Sequence, residues 1–293
     1  ITGDNTITAA EKFALPISGS CESGSTVNIG WTDTSAHSGS TSVACSGGTY
    51  NYNINTTADG LAEGSANITA SVSQTDAAGN VSTTLTHVLS KDTVLPTVGV
   101  SSPAANSNIT ATNKAAFAMT GTCSEAGQTV TVAAGGVSGT TTCNGTTWSK
   151  TLDLTSLPEG PVTVTADQTD LAGNAAVQAT TSFSKDSTAP VAAIGSPAAN
   201  SVVNSSNVAS VPVSGTCEVP GTNSVVVTSN NTSTTVDCGI GGVWSTNLDL
   251  TTAPQGNVAV GVVHTDAAGN ISSQTSLNVV KDTIGPTVSY TSP

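Results

Sequence analysis

Valine and threonine alternate along much of this chain. In PVTVTADQTD, residues 161–170, Val162, Val164 and Ala166 point to one side while Thr163 and Thr165 point to the other, the period-two pattern of a strand with one buried face. Counting back from the aspartate of two related stretches gives Ile68, Ala70 and Val72 near the start, and Val258, Val260 and Val262 near the end, so the inward face is apolar each time. Around the middle copy, AAFAMTGTC, QTVTVAAGG, GTTTC, TWSKTLDL and AVQATTSFSKD read as further short strands, with turn signals between them. Trp148 and Trp244 hold matching places before SKTLDL and STNLDL. Tyr50 lies near that place in the first copy, with Trp31 further upstream, and all these aromatics read as core.

The strands belong to a repeat. QTDAAGN at 74–80 returns as QTDLAGN at 168–174 and HTDAAGN at 264–270, placing Asp76, Asp170 and Asp266 at intervals of 94 and 96 residues. A second phrase keeps the same step: SKDTVLPTV from Ser90, SKDSTAPVA from Ser184 and VKDTIGPTV from Val280, with aspartates Asp92, Asp186 and Asp282. Regularity of this kind predicts tandem domains rather than one large fold. Three domains follow, at 1–92, 93–186 and 187–282, with 283–293 left over. Short strands about every ten residues, with turns between, predict an all-β chain of antiparallel sandwiches of immunoglobulin type in an extended array. Periodicity alone leaves other Greek-key sandwiches open.

The six cysteines come two per repeat: Cys21 and Cys45, Cys123 and Cys143, Cys217 and Cys238. One disulfide per domain is expected, each stabilising by about 3 kcal/mol in the loop-entropy model, and with it an oxidising compartment. Buried free thiols are the plainer alternative. Zinc is disfavoured because no C-x2-C spacing occurs.

Charge narrows the partners. The formal net charge is −13, with six lysines and no arginine, so there is no cationic cluster to neutralise nucleic-acid phosphates. Anionic membrane surfaces are disfavoured for the same reason, and no apolar stretch approaches the roughly 18 residues of a membrane span. The chain opens mid-pattern without a leader and reads as a mature product or a fragment. Its histidines, His37, His87 and His264, do not repeat in position, and no G-x-S-x-G elbow occurs, so no catalytic residue is assigned. Lys91, Lys185 and Lys281 repeat beside the linker aspartates and read as charges that protect a sheet edge, with an isopeptide crosslink as the sharper alternative. Asn-x-Ser/Thr triplets at Asn67, Asn108, Asn144 and Asn270 mark surface turns at most.

The phrases SGTC…AGQTVTV, LPEGPVTVTADQTDLAGN and KDSTAP together resemble the bacterial immunoglobulin-like repeats of very large surface adhesins and biofilm proteins, and GDNTITAAEK resembles phrases in such repeats. The resemblance implies seven-stranded sandwiches strung end to end outside the cell, often with calcium at the joints. Paired cysteines in every repeat depart from most such arrays.

Domain order gives the recurrent phrases a shared purpose. The heptapeptide falls between the sixth and seventh strands and Glu125 between the second and third. In an immunoglobulin sandwich both loops emerge where the preceding domain arrives. Asp92 is therefore expected near Glu125 and Asp170, and Asp186 near Glu218 and Asp266. Converging carboxylates need a cation, and with Asn174 or Asn270, backbone carbonyls and water they could supply calcium's six to eight oxygens. One calcium ion per joint is the expectation. The first domain offers Glu22 and Asp76 with no preceding linker, so its site is incomplete unless Asp4 or another chain helps, and Asp282 is orphaned at the opposite end. Isolated from one another, the motifs are ordinary turn and linker chemistry.

PTVGVSSP and PVAAIGSP open the second and third domains. The first lacks this segment, and PTVSYTSP at 286–293 is an unused copy. That tail reads as the start of a following domain or, in a complete polypeptide, as a strand donated head-to-tail to another copy. The favoured function is a non-enzymatic, extracellular stalk segment of a bacterial adhesin or surface fibre. Its rivals are a self-assembling filament subunit and a glycan- or protein-binding module.

Overall fold

The computed structural model describes residues 5–219 and 224–292. Among these, regular structure is β apart from one 3-10 turn at Lys114–Ala116, and no helix is long and apolar enough to cross a membrane. The strands fall into three sets that follow the repeat. The first comprises β1 (Thr6–Ile7), β2 (Leu15–Ser20), β3 (Thr26–Asp33), β4 (Ser38–Ala44), β5 (Thr49–Ile54), β6 (Gly64–Thr75) and β7 (Leu85–Lys91). The second comprises β8 (Val98–Ser102), β9 (Asn108–Ile109), β10 (Phe117–Cys123), β11 (Thr129–Ala134), β12 (Val137–Thr142), β13 (Thr147–Leu152), β14 (Gly160–Gln168) and β15 (Ala179–Lys185). The third comprises β16 (Ala192–Ser196), β17 (Val202–Val203), β18 (Val211–Cys217), β19 (Ser224–Ser229), β20 (Thr232–Asp237), β21 (Val243–Leu248), β22 (Gly256–Thr265) and β23 (Thr275–Lys281).

Three immunoglobulin-like sandwiches in tandem result. In the first set β1, β7, β6, β3 and β4 make one sheet in that order, and β2 pairs β5 in the other. In the third the corresponding orders are β17-β23-β22-β19-β20 and β16-β18-β21. A two-residue strand in each set, the first strand of the first set and the second strand of the other two, runs parallel to the last strand: β1 on β7, β9 on β15 and β17 on β23. Within the second set β8 pairs β10, and β11 pairs both β12 and β14.

Backbone proximity separates the chain into two compact units. One comprises Ile1–Pro103, Ala118–Thr151 and Val164–Thr181; the other comprises Ala104–Phe117, Leu152–Thr163 and Ser182–Pro293. The division runs through the second set, so each joint between successive repeats lies inside one unit.

Alternation is realised as burial. Val162, Val164 and Ala166 are buried while Thr163 is exposed, and Val258, Val260 and Val262 repeat the pattern. Leu15, Ile17, Ile29, Ile54, Ile68 and Leu89 form the core of the first sandwich, each worth about 1.5–3 kcal/mol when fully buried. Trp31, Trp148 and Trp244 are all buried, as the sequence predicts. All three expected disulfides are present, Cys21–Cys45, Cys123–Cys143 and Cys217–Cys238. Each joins a cysteine at or just past the end of β2, β10 or β18 to one just beyond β4, β12 or β20, and so ties that strand to the opposite sheet.

One expectation is corrected. Lys91, Lys185 and Lys281 are not exposed edge charges but are 8%, 3% and 5% exposed. Each ammonium turns inward to backbone carbonyls: Lys91 Nζ donates to Leu61 O at 2.5 Å, Lys185 to Thr155 O and Leu157 O, and Lys281 to Thr251 O and Ala253 O at 2.8 and 2.6 Å. Lysine suits this position because three donors on a long apolar stem can enter the sandwich and satisfy loop carbonyls that no strand pairs.

Candidate functional site

The recurrent heptapeptide closes the turn between the last two strands of each sandwich. Asp170 organises it, with Oδ1 accepting from Asn174 N at 2.8 Å and Oδ2 accepting from Asn174 Nδ2 at 2.8 Å. Asp266 does the same for Asn270 at 2.8 and 2.9 Å, and Asp76 for Asn80 at 2.8 and 2.7 Å. Gly79, Gly173 and Gly269, all at φ between 90° and 97°, take the left-handed step that this turn requires. Within the turn the aspartate therefore fixes the asparagine rather than facing outward.

The asparagine reaches across to the preceding repeat. Asn174 Oδ1 accepts from Ala9 N at 2.6 Å, and its Nδ2 donates to Asp92 O at 2.9 Å. One repeat later Asn270 Oδ1 accepts from Ala111 N at 2.8 Å, and Nδ2 donates to Asp186 O at 2.8 Å. A single side chain thus clasps two backbone points of its neighbour, one just past the short parallel strand (β1 or β9) and one just past the closing strand (β7 or β15). Asn174 and Asn270 are 4% and 2% exposed, whereas Asn80, which has no described neighbour to clasp, is exposed.

A second device pins the linker. Thr93 donates to Glu63 from N at 2.8 Å and from Oγ1 at 2.6 Å; Ser187 donates to Glu159 from N and Oγ, both at 2.7 Å. In the third sandwich Gln255 takes over, accepting from Thr283 N at 3.1 Å. The hydrogen bonds from Ser187 hold the Glu159 carboxyl below its ordinary range, with Lys185 Nζ 3.4 Å away as further support. Neither the asparagine clasp nor this pin was assigned from sequence, although the recurring EG or QG before the sixth strand was the available signal for the pin.

The carboxylates proposed as calcium ligands are placed as follows. Burial first, and then repulsion from Asp170, Glu63 and Glu125, pushes the Asp92 carboxyl above its ordinary range, so these acids do share one neighbourhood. Asp170 and Asn174, however, are committed to each other, to Ala9 and to Asp92 O, and the same holds for Asp266 and Asn270. Glu218 is exposed and accepts from Val191 N at 3.2 Å, while Glu22 is exposed in the first repeat. Among the described residues no group of three or more Asp, Glu, His or Cys side chains gathers closely enough to hold a metal ion by itself. Asp4 lies outside the described residues.

Residues 146–240 match the family model of the bacterial Ig-like domain (group 3). That span is one repeat long but starts in the middle of the second sandwich and ends in the third. No curated protein matches the chain. Among solved structures, one of a 1.5-MDa bacterial ice-binding adhesin aligns at 24% identity over 97% of this chain and 96% of that one, with a TM-score of 0.43. A calcium-stabilized adhesin that helps an Antarctic bacterium bind ice aligns at 26% identity over 96% and 72%, TM-score 0.45. A tetra-tandem repeat from the extending region of a large adhesion protein aligns at 23% identity over 96% and 73%, TM-score 0.36. In sequence over residues 146–240, and in its own strand order around them, the chain resembles tandem bacterial Ig-like repeats.

Proposed function

We propose that this chain is a non-enzymatic structural segment of an extracellular bacterial adhesin or surface fibre, in which successive repeats are held in a fixed relation so that the array works as a stiff spacer. With domains at 1–92, 93–186 and 187–282, each asparagine clasp joins the end of one domain to the turn of the next. The observation that carries the reading is the clasp's repetition, donor for donor and acceptor for acceptor, at Asn174 and Asn270. Three disulfides agree with an oxidising, extracytoplasmic location. Calorimetry tests it: Asn174→Ala leaves Ala9 N and Asp92 O unpaired and is expected to cost about 2 kcal/mol and to uncouple the melting of the first two repeats. Unchanged, still-coupled melting would count against the spacer reading.

Calcium is the second reading, favoured by the crowding of Asp92 by Asp170, Glu63 and Glu125. A divalent ion drawn there would relieve like-charge repulsion. The same calorimeter separates the two readings, because calcium followed by chelator moves the melting temperature only if an ion contributes.

A further inference from the structure

The middle repeat, flanked in the chain by a repeat on either side, leaves one edge of its larger sheet open. That sheet runs β12-β11-β14-β15-β9, and among the described residues β12 pairs with β11 alone. The ladder is regular: six consecutive pairs run from Thr129 opposite Thr142 to Ala134 opposite Val137 without a bulge. Just past it Cys143 N donates to Gln128 O at 2.9 Å. In an antiparallel ladder alternate residues turn both backbone groups to the partner strand, and those between turn both away. Counting back from Cys143, therefore, Thr141, Gly139 and Val137 face β11, while Ser138, Thr140 and Thr142 present their N–H and C=O groups outward.

Open edges are ordinarily guarded by charge, proline, a bulge or brevity. β12, with the sequence VSGTTT, has no charged residue and no proline. The side chains of Ser138, Thr140 and Thr142 are exposed but short, and threonine suits a strand. The other two repeats carry the same edge: β4, SGSTSVA, on β3 and β20, TSTTVD, on β19 each end their sheet, without proline or a shift of register. Of the three, β12 is the best suited to pairing. β4 is rich in serine and its Ser42 hydroxyl already donates to Asn28 Oδ1 at 2.8 Å, while β20 ends in Asp237.

Charge and symmetry select the occupant. The chain carries a net charge of −13, so two copies repel over most of their surface and approach most readily along a strip that carries no charge. A cationic partner would be drawn to the acids and away from this edge. The outward row is also its own complement: turned antiparallel about Thr140, it sets Thr140 opposite the same residue of a second copy and Ser138 opposite that copy's third outward residue, the equivalent of Thr142, so that each donor meets an acceptor.

We propose that two copies of this chain pair side by side through β12, antiparallel about a two-fold axis at Thr140, so that their larger sheets run on as one. Facing outward residues exchange both backbone hydrogen bonds, and the threonine side chains meet across the seam. The contact uses the same patch on both copies and is lateral, unlike the end-to-end order of the repeats within the chain. It goes beyond the spacer reading and depends on neither the asparagine clasps nor calcium.

Sedimentation equilibrium of residues 1–293, with hydrogen exchange read residue by residue, tests it. Association is expected to rise with concentration and with salt, which screens the −13 charge, and the amides of Ser138, Thr140 and Thr142 are expected to exchange more slowly as it does. Thr140→Lys sets like charges directly opposite each other and is expected to weaken association about tenfold or more, although it lowers the net negative charge. Thr163→Lys makes the same change of charge at an exposed position of the central strand β14 and is expected not to weaken it. A monomer at every concentration and salt, association without slowed exchange at those amides, or equal weakening by the two variants overturns the proposal. None of these results bears on the spacer reading, which the melting of Asn174→Ala decides.

Discussion

His264 is fully buried in β22, and neither ring nitrogen has a hydrogen-bond partner. Its counterpart Gln168 uses both ends of its amide on the loop after β10, accepting from Glu125 N and donating to Glu125 O at 3.0 Å. An unsatisfied buried polar group costs about 1–3 kcal/mol. His264→Gln is therefore expected to raise the melting temperature of the third repeat, as read by calorimetry. Asp33 shows the opposite economy. Burial pulls its carboxyl upward, but hydrogen bonds from Ala62 N, His37 N, the His37 ring and Ser35 N outweigh it and hold the pKa at about 2. The lowered value means that Asp33's contribution is present above about pH 4, near the ordinary aspartate value, and is lost as pH falls towards 2. Melts of wild type and Asp33→Asn between pH 5 and pH 2 are expected to converge on acidification, and an unchanged gap would contradict this.

At the scale of strands and turns, the inward lysines couple the last strand of each sandwich to the loop before its sixth. Lys185→Met keeps the stem and strands the carbonyls of Thr155 and Leu157, a loss of about 2 kcal/mol expected in chemical denaturation. Strand alternation, the buried tryptophans and the cysteine pairs were legible in the sequence because each is written in residue types: Val against Thr, and Cys in step with the repeat. The clasp was not. Its partners are the backbone N of Ala9 and O of Asp92, which leave no trace in side-chain identity, and Asp-x-x-Gly-Asn is what a tight turn selects regardless of neighbours. Proximity of Asp92 to Glu125 and Asp170 was readable from loop order, but the sequence does not show that Asn174 already occupies the acceptors of Asp170. Lysine burial was hidden for a similar reason, since its acceptors are loop carbonyls and composition places lysine at the surface.

For the molecule as a whole, the proposed spacer depends on the asparagines at two joints, each within one compact unit. Each asparagine joins backbone points next to the short parallel strand and the closing strand of the preceding sandwich, so a swivel about the linker must break its hydrogen bonds. Glu63 and Glu159 remove slack from the linker itself by holding Thr93 and Ser187. Disulfides act inside each sandwich and leave the joints untouched, which separates fold stability from stiffness: reducing agent is expected to lower melting without mimicking loss of a clasp. The most direct measurement is small-angle X-ray scattering of dilute residues 1–293 beside the double variant Asn174→Ala/Asn270→Ala. A single narrow distribution of dimensions for the native chain, broadened and shortened in the variant with its sandwiches still folded, is the expected result. Superimposable curves would contradict the asparagine clasp as the source of stiffness.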